Sequence, residues 1–177
     1  MGVAEDFERA IRAGGVVVFG ADTVYGLACD PGDESAIARI YALKDRPPEK
    51  RSATMYFDPA ALPDLPPRTG AAIRALVPGP LTFVVGELGL RVPDVPMLRG
   101  VGVPVLQTSA NRSGGPDARR LADVPEEIRA GADLVLDAGE LPGTPSTVVD
   151  LSDYEQTGEW RVLREGAVAR AALAAVL

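Results

Sequence analysis

Glycine and proline interrupt this chain so often that it cannot be built from long helices. The 177 residues include 19 glycines and 16 prolines, about a fifth of the total. These residue types end helices and strands and form turns, so many short elements are expected. With 46% hydrophobic and 24% charged residues, the composition is that of an ordinary globular protein. The length fits a single domain, which we place at residues 1–177.

Between these interruptions, helical and strand patterns interleave. Apolar residues at helical spacing predict helices at 4–13, 33–43, 69–76, 125–130 and 167–177. Asp33 is the candidate N-cap of the second helix, and Thr69 that of the third. Apolar runs predict strands at 16–19, 53–57, 81–85, 103–107, 134–136, 147–151 and 161–163. Because the order is not strictly βαβ, the predicted fold class is α/β with a twisted, mixed sheet and flanking helices.

The absence of histidine excludes several classes of enzyme. The chain has no His and one Cys, Cys29. Ser-His-Asp and Cys-His nucleophilic catalysis are therefore excluded, and so are disulfides within the chain and clusters of cysteine ligands around a metal. No P-loop, no Gly-x-Gly-x-x-Gly and no Gly-x-Ser-x-Gly motif occurs.

The charge balance is acidic. Eighteen Lys and Arg stand against 25 Asp and Glu, a formal net charge of −7. This balance argues against non-specific binding of duplex nucleic acid but leaves room for a local anion site. No apolar run is long enough for a membrane span, and the acidic N-terminal segment is unlike a secretory signal. We expect a cytoplasmic protein.

Two polar clusters are candidates for binding chemistry. Sixteen of the cations are Arg, whereas both lysines lie in the Pro-containing segment that carries Lys44, Arg46, Lys50 and Arg51. Lys and Arg in this arrangement suit phosphate or carboxylate oxygens, although a solvated surface loop would look the same. Ser109-Ala110-Asn111 follows a predicted strand, where open α/β sheets place ligands, although these residues are also common in turns.

Taken together and in order, the motifs resemble the YrdC-like family of L-threonylcarbamoyladenylate synthases. The resemblance runs from about residue 14 to 168. Seven stretches carry it: Ala21-Asp22-Thr23-Val24-Tyr25-Gly26-Leu27, Tyr41-Ala42-Leu43-Lys44-Asp45-Arg46-Pro47, Pro78-Gly79-Pro80-Leu81-Thr82, Arg91-Val92-Pro93, Thr108-Ser109-Ala110-Asn111-Arg112-Ser113-Gly114, Pro145-Ser146-Thr147-Val148-Val149-Asp150 and Leu163-Arg164-Glu165-Gly166-Ala167.

This resemblance implies a single YrdC-like domain whose mixed sheet surrounds a deep basic cavity. It implies a nucleotidyltransferase that converts ATP, L-threonine and bicarbonate or CO₂ into threonylcarbamoyl-AMP and pyrophosphate, for the t6A37 modification of tRNA. Mg²⁺ would arrive with ATP, and no resident metal is implied. A separate protein would transfer the product to tRNA, which this chain would contact at most transiently. The alternatives are a YrdC-like paralogue, or a module that binds RNA or nucleotide without synthase activity.

The family pattern also implies residue roles. A catalytic tetrad that binds ATP and its phosphates would comprise Lys44, Arg46, Ser109 and Asn111. Further contacts to ATP would come from Pro78, Arg119 and Arg164, and the threonine pocket would be lined by Thr23, Tyr25, Thr82 and Ser146. Met55 stands where family members often carry a His, a difference that bears on amino-acid selectivity.

Overall fold

A computed structural model describes residues 2–47, 49–50 and 52–177. Within them the helices are α1 (Val3–Arg12), α2 (Glu34–Lys44), α3 (Pro67–Leu76), α4 (Glu126–Ala130), α5 (Tyr154–Thr157) and α6 (Arg170–Leu173). The strands are β1 (Val17–Gly20), β2 (Tyr25–Cys29), β3 (Ala53–Met55), β4 (Leu81–Val85), β5 (Leu88–Arg91), β6 (Val105–Ser109), β7 (Leu134–Val135), β8 (Thr147–Asp150) and β9 (Arg161–Arg164). Short 3-10 helices lie at Pro59–Ala61, Pro96–Leu98 and Leu121–Asp123.

In the described part of the chain these strands form one mixed sheet, as the sequence predicts. Its order is β7-β1-β2-β6-β3-β5-β4-β8-β9. The pairs β1/β7, β3/β5 and β4/β8 are parallel, and the other neighbouring pairs are antiparallel. The mixed pairing brings segments that are distant in the sequence, such as β3 and β5, side by side at the centre of the sheet.

Helices cover the two ends of the sheet. Phe7 and Ile11 of α1 pack with Phe19 on one face of the β1/β2 half, and Ile40 of α2 packs with Leu27 on the other. Near the opposite end, α3, α5 and α6 cover a third cluster around Phe83. None of the helices in the described residues combines the length and apolar character needed to cross a membrane.

Side chains of β4 point alternately to the two faces of the sheet, one packed into the core and one open. Leu81 and Phe83 pack into the third core cluster, whereas Thr82 and Val84 point the other way. No helix of the described residues is packed over Thr82 and Val84, and a cleft lies there instead.

Candidate functional site

A cleft of about 300 Å³ occupies this open face, between the two halves of the sheet. Residues of β3, β4, β5, β6, β8 and β9 line it, together with loops at the ends of these strands. Its cationic residues are Arg46, Arg91 and Arg164, and its acidic residues are Glu87 and Asp117. The lining thus carries three guanidinium groups and two carboxylates in a protein whose net charge is −7.

The end of α2 brings Arg46 to the cleft. Asp33 caps the start of this helix by accepting from Ser35 N and Ala36 N, both at 3.0 Å, as expected from the sequence. At the other end, Asp45 adopts the left-handed conformation with φ 50°, which ends the helix. Arg46 follows this turn and lines the cleft, while its Nε donates to Lys50 O at 3.0 Å.

Lys44 is hydrogen-bonded to the turn that follows β6. Its side chain is 1% exposed, and its Nζ donates to Ser109 O, to Asn111 O at 2.6 Å and to Asn111 Oδ1 at 3.1 Å. Burial lowers the pKa of Lys44 to about 8, the nearby Arg46 charge adds to this shift, and Asp117 opposes it. The ammonium therefore orders the Ser109–Asn111 turn, and its charge lies next to Ser109, a residue of the cleft lining.

The Ser109–Asn111 turn is closed by its own side chains. Ser109 Oγ donates to Asn111 Oδ1 at 2.6 Å, and Asn111 Nδ2 donates to Gly115 O at 2.6 Å. Gly114 takes a positive φ of 82° in this turn, a conformation that glycine adopts without strain. Ser113 N donates to Lys44 O at 2.8 Å, so the turn is bonded to the end of α2.

Arg91 is a buried guanidinium in the cleft wall. It is 4% exposed, and its Nη2 donates to Asp22 Oδ1 and, at 2.7 Å, to Thr23 Oγ1. Its Nε is buried and has no hydrogen-bond partner among the described residues. Burial lowers the pKa of Arg91, and the Asp22 carboxylate opposes this effect. Because Arg91 lines the cleft, its guanidinium is a candidate partner for a carboxylate bound there.

A pair of hydroxyl groups lies beside β4 and β8. Thr82 Oγ1 and Ser146 Oγ are 2.9 Å apart. Arg164 at the end of β9 donates from Nη2 to Ser146 O at 2.7 Å and to Ser146 Oγ at 3.1 Å. These hydroxyls are polar groups fixed in position on a rigid strand pair, as a site for a small polar ligand requires.

The structure brings five of the predicted site residues together in the cleft lining: Arg46, Thr82, Ser109, Ser146 and Arg164. Lys44, Asn111 and Thr23 are buried behind this lining. Each of these three is hydrogen-bonded to a lining residue, Lys44 and Asn111 to Ser109 and Thr23 to Arg91.

Three other predicted residues lie outside the cleft lining. Tyr25 is fully buried, and its hydroxyl donates to Asp137 Oδ1 at 2.7 Å and accepts from Ala138 N at 2.9 Å. Burial raises the pKa of Tyr25, and its bond to Asp137 adds to the shift. Pro78 is exposed and follows a cis peptide bond. Arg119 is exposed and forms an ion pair with Glu140 at 3.0 Å.

Several residues that line or support the cleft were not predicted as site residues from the sequence. Arg91 and Asp22 both lie in stretches that carry the family resemblance, and this was the only signal for them in the sequence. Asp117 and Gln107 also line the cleft and gave no signal. Their proximity results from the pairing of β6 with β2 and β3, which a linear motif does not encode.

Two described residues that follow Arg46, Lys50 and Met55, do not line the cleft. Lys50 is exposed and reaches Ser113 Oγ at 3.4 Å, and Arg51 lies outside the described residues. Met55 is fully buried in the core cluster around Phe7 and does not line the cleft. The position at which relatives often carry His is therefore a packing position in this chain.

The described residues place no reactive thiol and no cluster of three metal-ligating side chains at this cleft. Cys29 is buried, and burial raises the pKa of its thiol to about 12, so it holds no reactive thiolate. Within residues 2–47, 49–50 and 52–177, no group of three or more His, Cys, Asp or Glu side chains could hold a metal ion.

Comparison with known proteins gives consistent matches. The family model Sua5_yciO_yrdC, described as telomere recombination, matches residues 9–166. A threonylcarbamoyl-AMP synthase of Stutzerimonas stutzeri (strain A1501) is 35% identical over 171 residues, covering 83% of this chain and 91% of the relative. P. abyssi Sua5 complexed with L-threonine has a TM-score of 0.85 at 26% identity, covering 98% of this chain and 57% of that chain. E. coli YciO has a TM-score of 0.77 at 27% identity, and the match covers 94% of this chain and 90% of that chain.

Proposed function

The chain belongs to the Sua5/YciO/YrdC family, and we propose that it forms threonylcarbamoyl-AMP and pyrophosphate from ATP, L-threonine and bicarbonate or CO₂. The curated relative at 35% identity carries the name of this synthase, and a structural neighbour binds L-threonine. The observation that carries the proposal is a single cleft whose lining combines the guanidinium groups of Arg46 and Arg91 with Ser109 and the Thr82–Ser146 hydroxyl pair.

The reaction requires that the carbamate of threonine and the α-phosphate of ATP, both anionic, are held close to each other. The threonine amine adds to CO₂, an N–C bond forms, and loss of a proton leaves a carbamate. A carbamate oxygen then attacks the α-phosphorus of ATP, the bond from that phosphorus to the bridging oxygen breaks, and pyrophosphate leaves. Because negative charge is spread over phosphoryl oxygens in the transition state, fixed cations and hydrogen-bond donors stabilise it. A histidine base is not required if the amine reacts in its neutral form.

The nucleotide side is assigned to the residues around α2 and the turn after β6. Arg46 and Ser109 line the cleft and would contact phosphate oxygens. Lys44 and Asn111 would act from behind, since they hold the Ser109 turn in place and Lys44 adds positive charge below it. Mg²⁺ would enter as part of the MgATP substrate.

The amino-acid side is assigned to the residues around β4, β5 and β8. The Arg91 guanidinium would bind the threonine carboxylate, with Thr23 and Asp22 fixing its orientation. Thr82 and Ser146 would hydrogen-bond to the amino acid, and Arg164, which donates to Ser146, would reach nucleotide or carboxylate oxygens. Tyr25, Pro78 and Arg119 receive no ligand contact in this proposal, because they do not line the cleft.

The chemistry of the product indicates which kind of protein uses it next. Threonylcarbamoyl-AMP is a mixed anhydride, so a second protein must transfer its threonylcarbamoyl group to tRNA before water hydrolyses it. The net charge of −7 argues against strong binding of tRNA by this chain itself.

The test is pyrophosphate release from ATP and bicarbonate by the purified protein, with and without L-threonine. We expect threonine-dependent release, with a loss of at least about tenfold in Arg46→Ala because one fixed donor to the phosphates is removed. Arg12→Ala, which removes an exposed arginine of α1 that is paired with Glu8, is the matched control. ATP binding without release would indicate a paralogue with another acceptor. Tight, strongly salt-dependent tRNA binding without release would indicate a binding module.

A further inference from the structure

Asp117 places a carboxylate on the cationic side of the cleft. It follows the Ser109–Asn111 turn and lines the cleft together with Arg46 and Ser109. The backbone next to it is fixed, because Tyr25 N donates to Ala118 O at 2.9 Å and Ala118 is buried. Asp117 is therefore held on a fixed segment at the wall of the cleft.

The carboxylate is not used by the protein fold itself. In the part of the chain that the structure describes, the Asp117 side chain makes no hydrogen bond and no ion pair within 4.0 Å. It is nevertheless close enough to Lys44 to oppose the lowering of the Lys44 pKa by burial and by Arg46. The group is therefore half-buried and hydrogen-bonded to none of the described residues, at the place where the phosphates are proposed to lie.

An acidic side chain at this place has an electrostatic consequence for an anionic ligand. A triphosphate placed beside Arg46 and Ser109 would be repelled by Asp117 unless a cation lay between them. Mg²⁺ binds hard oxygen ligands, and it commonly uses one or two carboxylates together with substrate phosphates rather than a complete protein cage.

We propose that Asp117 is a ligand, directly or through a metal-bound water, of the Mg²⁺ that enters with ATP. This inference rests on the proposed function, because it takes the nucleotide side of the cleft as given. It makes the site selective for the metal-bound nucleotide over free ATP, since Asp117 attracts the first and repels the second.

The test is isothermal titration calorimetry of ATP binding with Mg²⁺ and with EDTA, without threonine so that no turnover occurs. The wild-type protein should bind MgATP more tightly than free ATP. In Asp117→Asn the ratio of the two affinities should fall by about tenfold or more, the size of effect expected when a group that supports a metal is lost. Free ATP should bind Asp117→Asn at least as tightly as it binds the wild type.

Two further variants complete the design. Asp64→Asn makes the same change of charge at an exposed residue outside the cleft and should leave the ratio unchanged. Asp117→Glu keeps a carboxylate and should retain most of the preference for MgATP. An unchanged ratio in Asp117→Asn, or equal loss of both forms in Asp117→Asn and Asp117→Glu, would overturn the proposal.

The outcome separates this inference from the proposed function. A wild-type preference for MgATP that is lost in Asp117→Asn supports the Asp117 role even if no threonine-dependent pyrophosphate appears. Failure of the wild type to bind ATP in either form overturns both.

Discussion

Lys44 carries its charge in a fully buried side chain, and burying this charge lowers the unfolding free energy. Burial and the charge of Arg46 lower its pKa to about 8 in the folded protein, whereas the unfolded chain keeps the proton up to about 10.5. Between these values the unfolded state binds more protons, so raising the pH favours folding through this group. The cost of burying the charge is complete below pH 8 and is lost as the pH rises to 10.5.

The variant Lys44→Met should therefore change how stability depends on pH. We expect the unfolding free energy of the wild type, relative to Lys44→Met, to be constant below about pH 8 and to rise above it. Urea unfolding at a series of pH values measures this difference. Lys50→Met, which removes an exposed lysine of the following loop, controls for the loss of one positive charge. A difference that stays flat or falls with pH would contradict this account.

The Asp22–Arg91 pair predicts a large loss of stability when one partner is removed. The two side chains are 9% and 5% exposed, so Asp22→Ala leaves a buried guanidinium without its counter-charge. We expect a loss of about 3 kcal/mol in chemical denaturation. Asp94→Ala removes the carboxylate of the exposed Arg99–Asp94 pair and should cost under about 1 kcal/mol. Equal losses in the two variants would show that burial of the Asp22–Arg91 pair has no energetic consequence.

Single residues differ in how far the sequence reveals their place. Arg46, Ser109 and Ser146 lie in recognisable stretches, and all three line the cleft. Tyr25 lies in a stretch of the same kind, but its hydroxyl is engaged with Asp137 in the core. A sequence motif shows only which residue types are present. The hydrogen-bond partner of a buried hydroxyl depends on how segments distant in the sequence pack together.

At the scale of elements, the connection after β9 controls the wall of the cleft. Gly166 lies so close to the start of β8 that an added Cβ would stand 2.2 Å from Pro145 O and 2.6 Å from Ser146 C. Ala167 N also donates to Pro145 O at 2.9 Å. Only a residue without a side chain allows this approach, which fixes Ser146 beside Thr82.

Gly166→Ala should push Ser146 away from Thr82. Because the obstruction is backbone, we expect a loss of about 1–3 kcal/mol in stability and a raised KM for threonine. Denaturation and steady-state kinetics measure the two effects. Gly102→Ala is the control, since its Cβ would meet only Glu8 Oε2 at 3.8 Å. An unaffected KM in a folded Gly166→Ala protein would contradict the assignment of Ser146 to the amino-acid side.

Elements with strong local patterns were predictable, and those stabilised by distant pairing were not. The predicted strand at 81–85 and the helix at 4–13 agree with β4 and α1. The strand β2 was missed, because it contains Gly26 and Ala28 and owes its structure to pairing with β1 and β6. The predicted helix at 167–177 was too long, since helix is confined to Arg170–Leu173, and Thr69 lies inside α3 rather than at its cap.

At the scale of the whole molecule, an acidic protein carries a small cleft with an excess of guanidinium groups. Twenty-five acidic against 18 basic residues give the surface a negative balance, while Arg46, Arg91 and Arg164 face one cavity. From this distribution of charge we expect small anions to bind better than a polyanion such as tRNA. The sheet order makes this possible, since it gathers β4, β5, β6 and β8 from separate parts of the sequence.

The most direct test of the central claim is mass spectrometry of the nucleotide product formed from ATP, L-threonine and ¹³C-bicarbonate. The account predicts threonylcarbamoyl-AMP that carries a single ¹³C atom, with strongly reduced formation by Arg46→Ala and normal formation by Arg12→Ala. The contradicting result would be AMP or ADP without a labelled adduct, or a labelled adduct that Arg46→Ala forms as fast as the wild type.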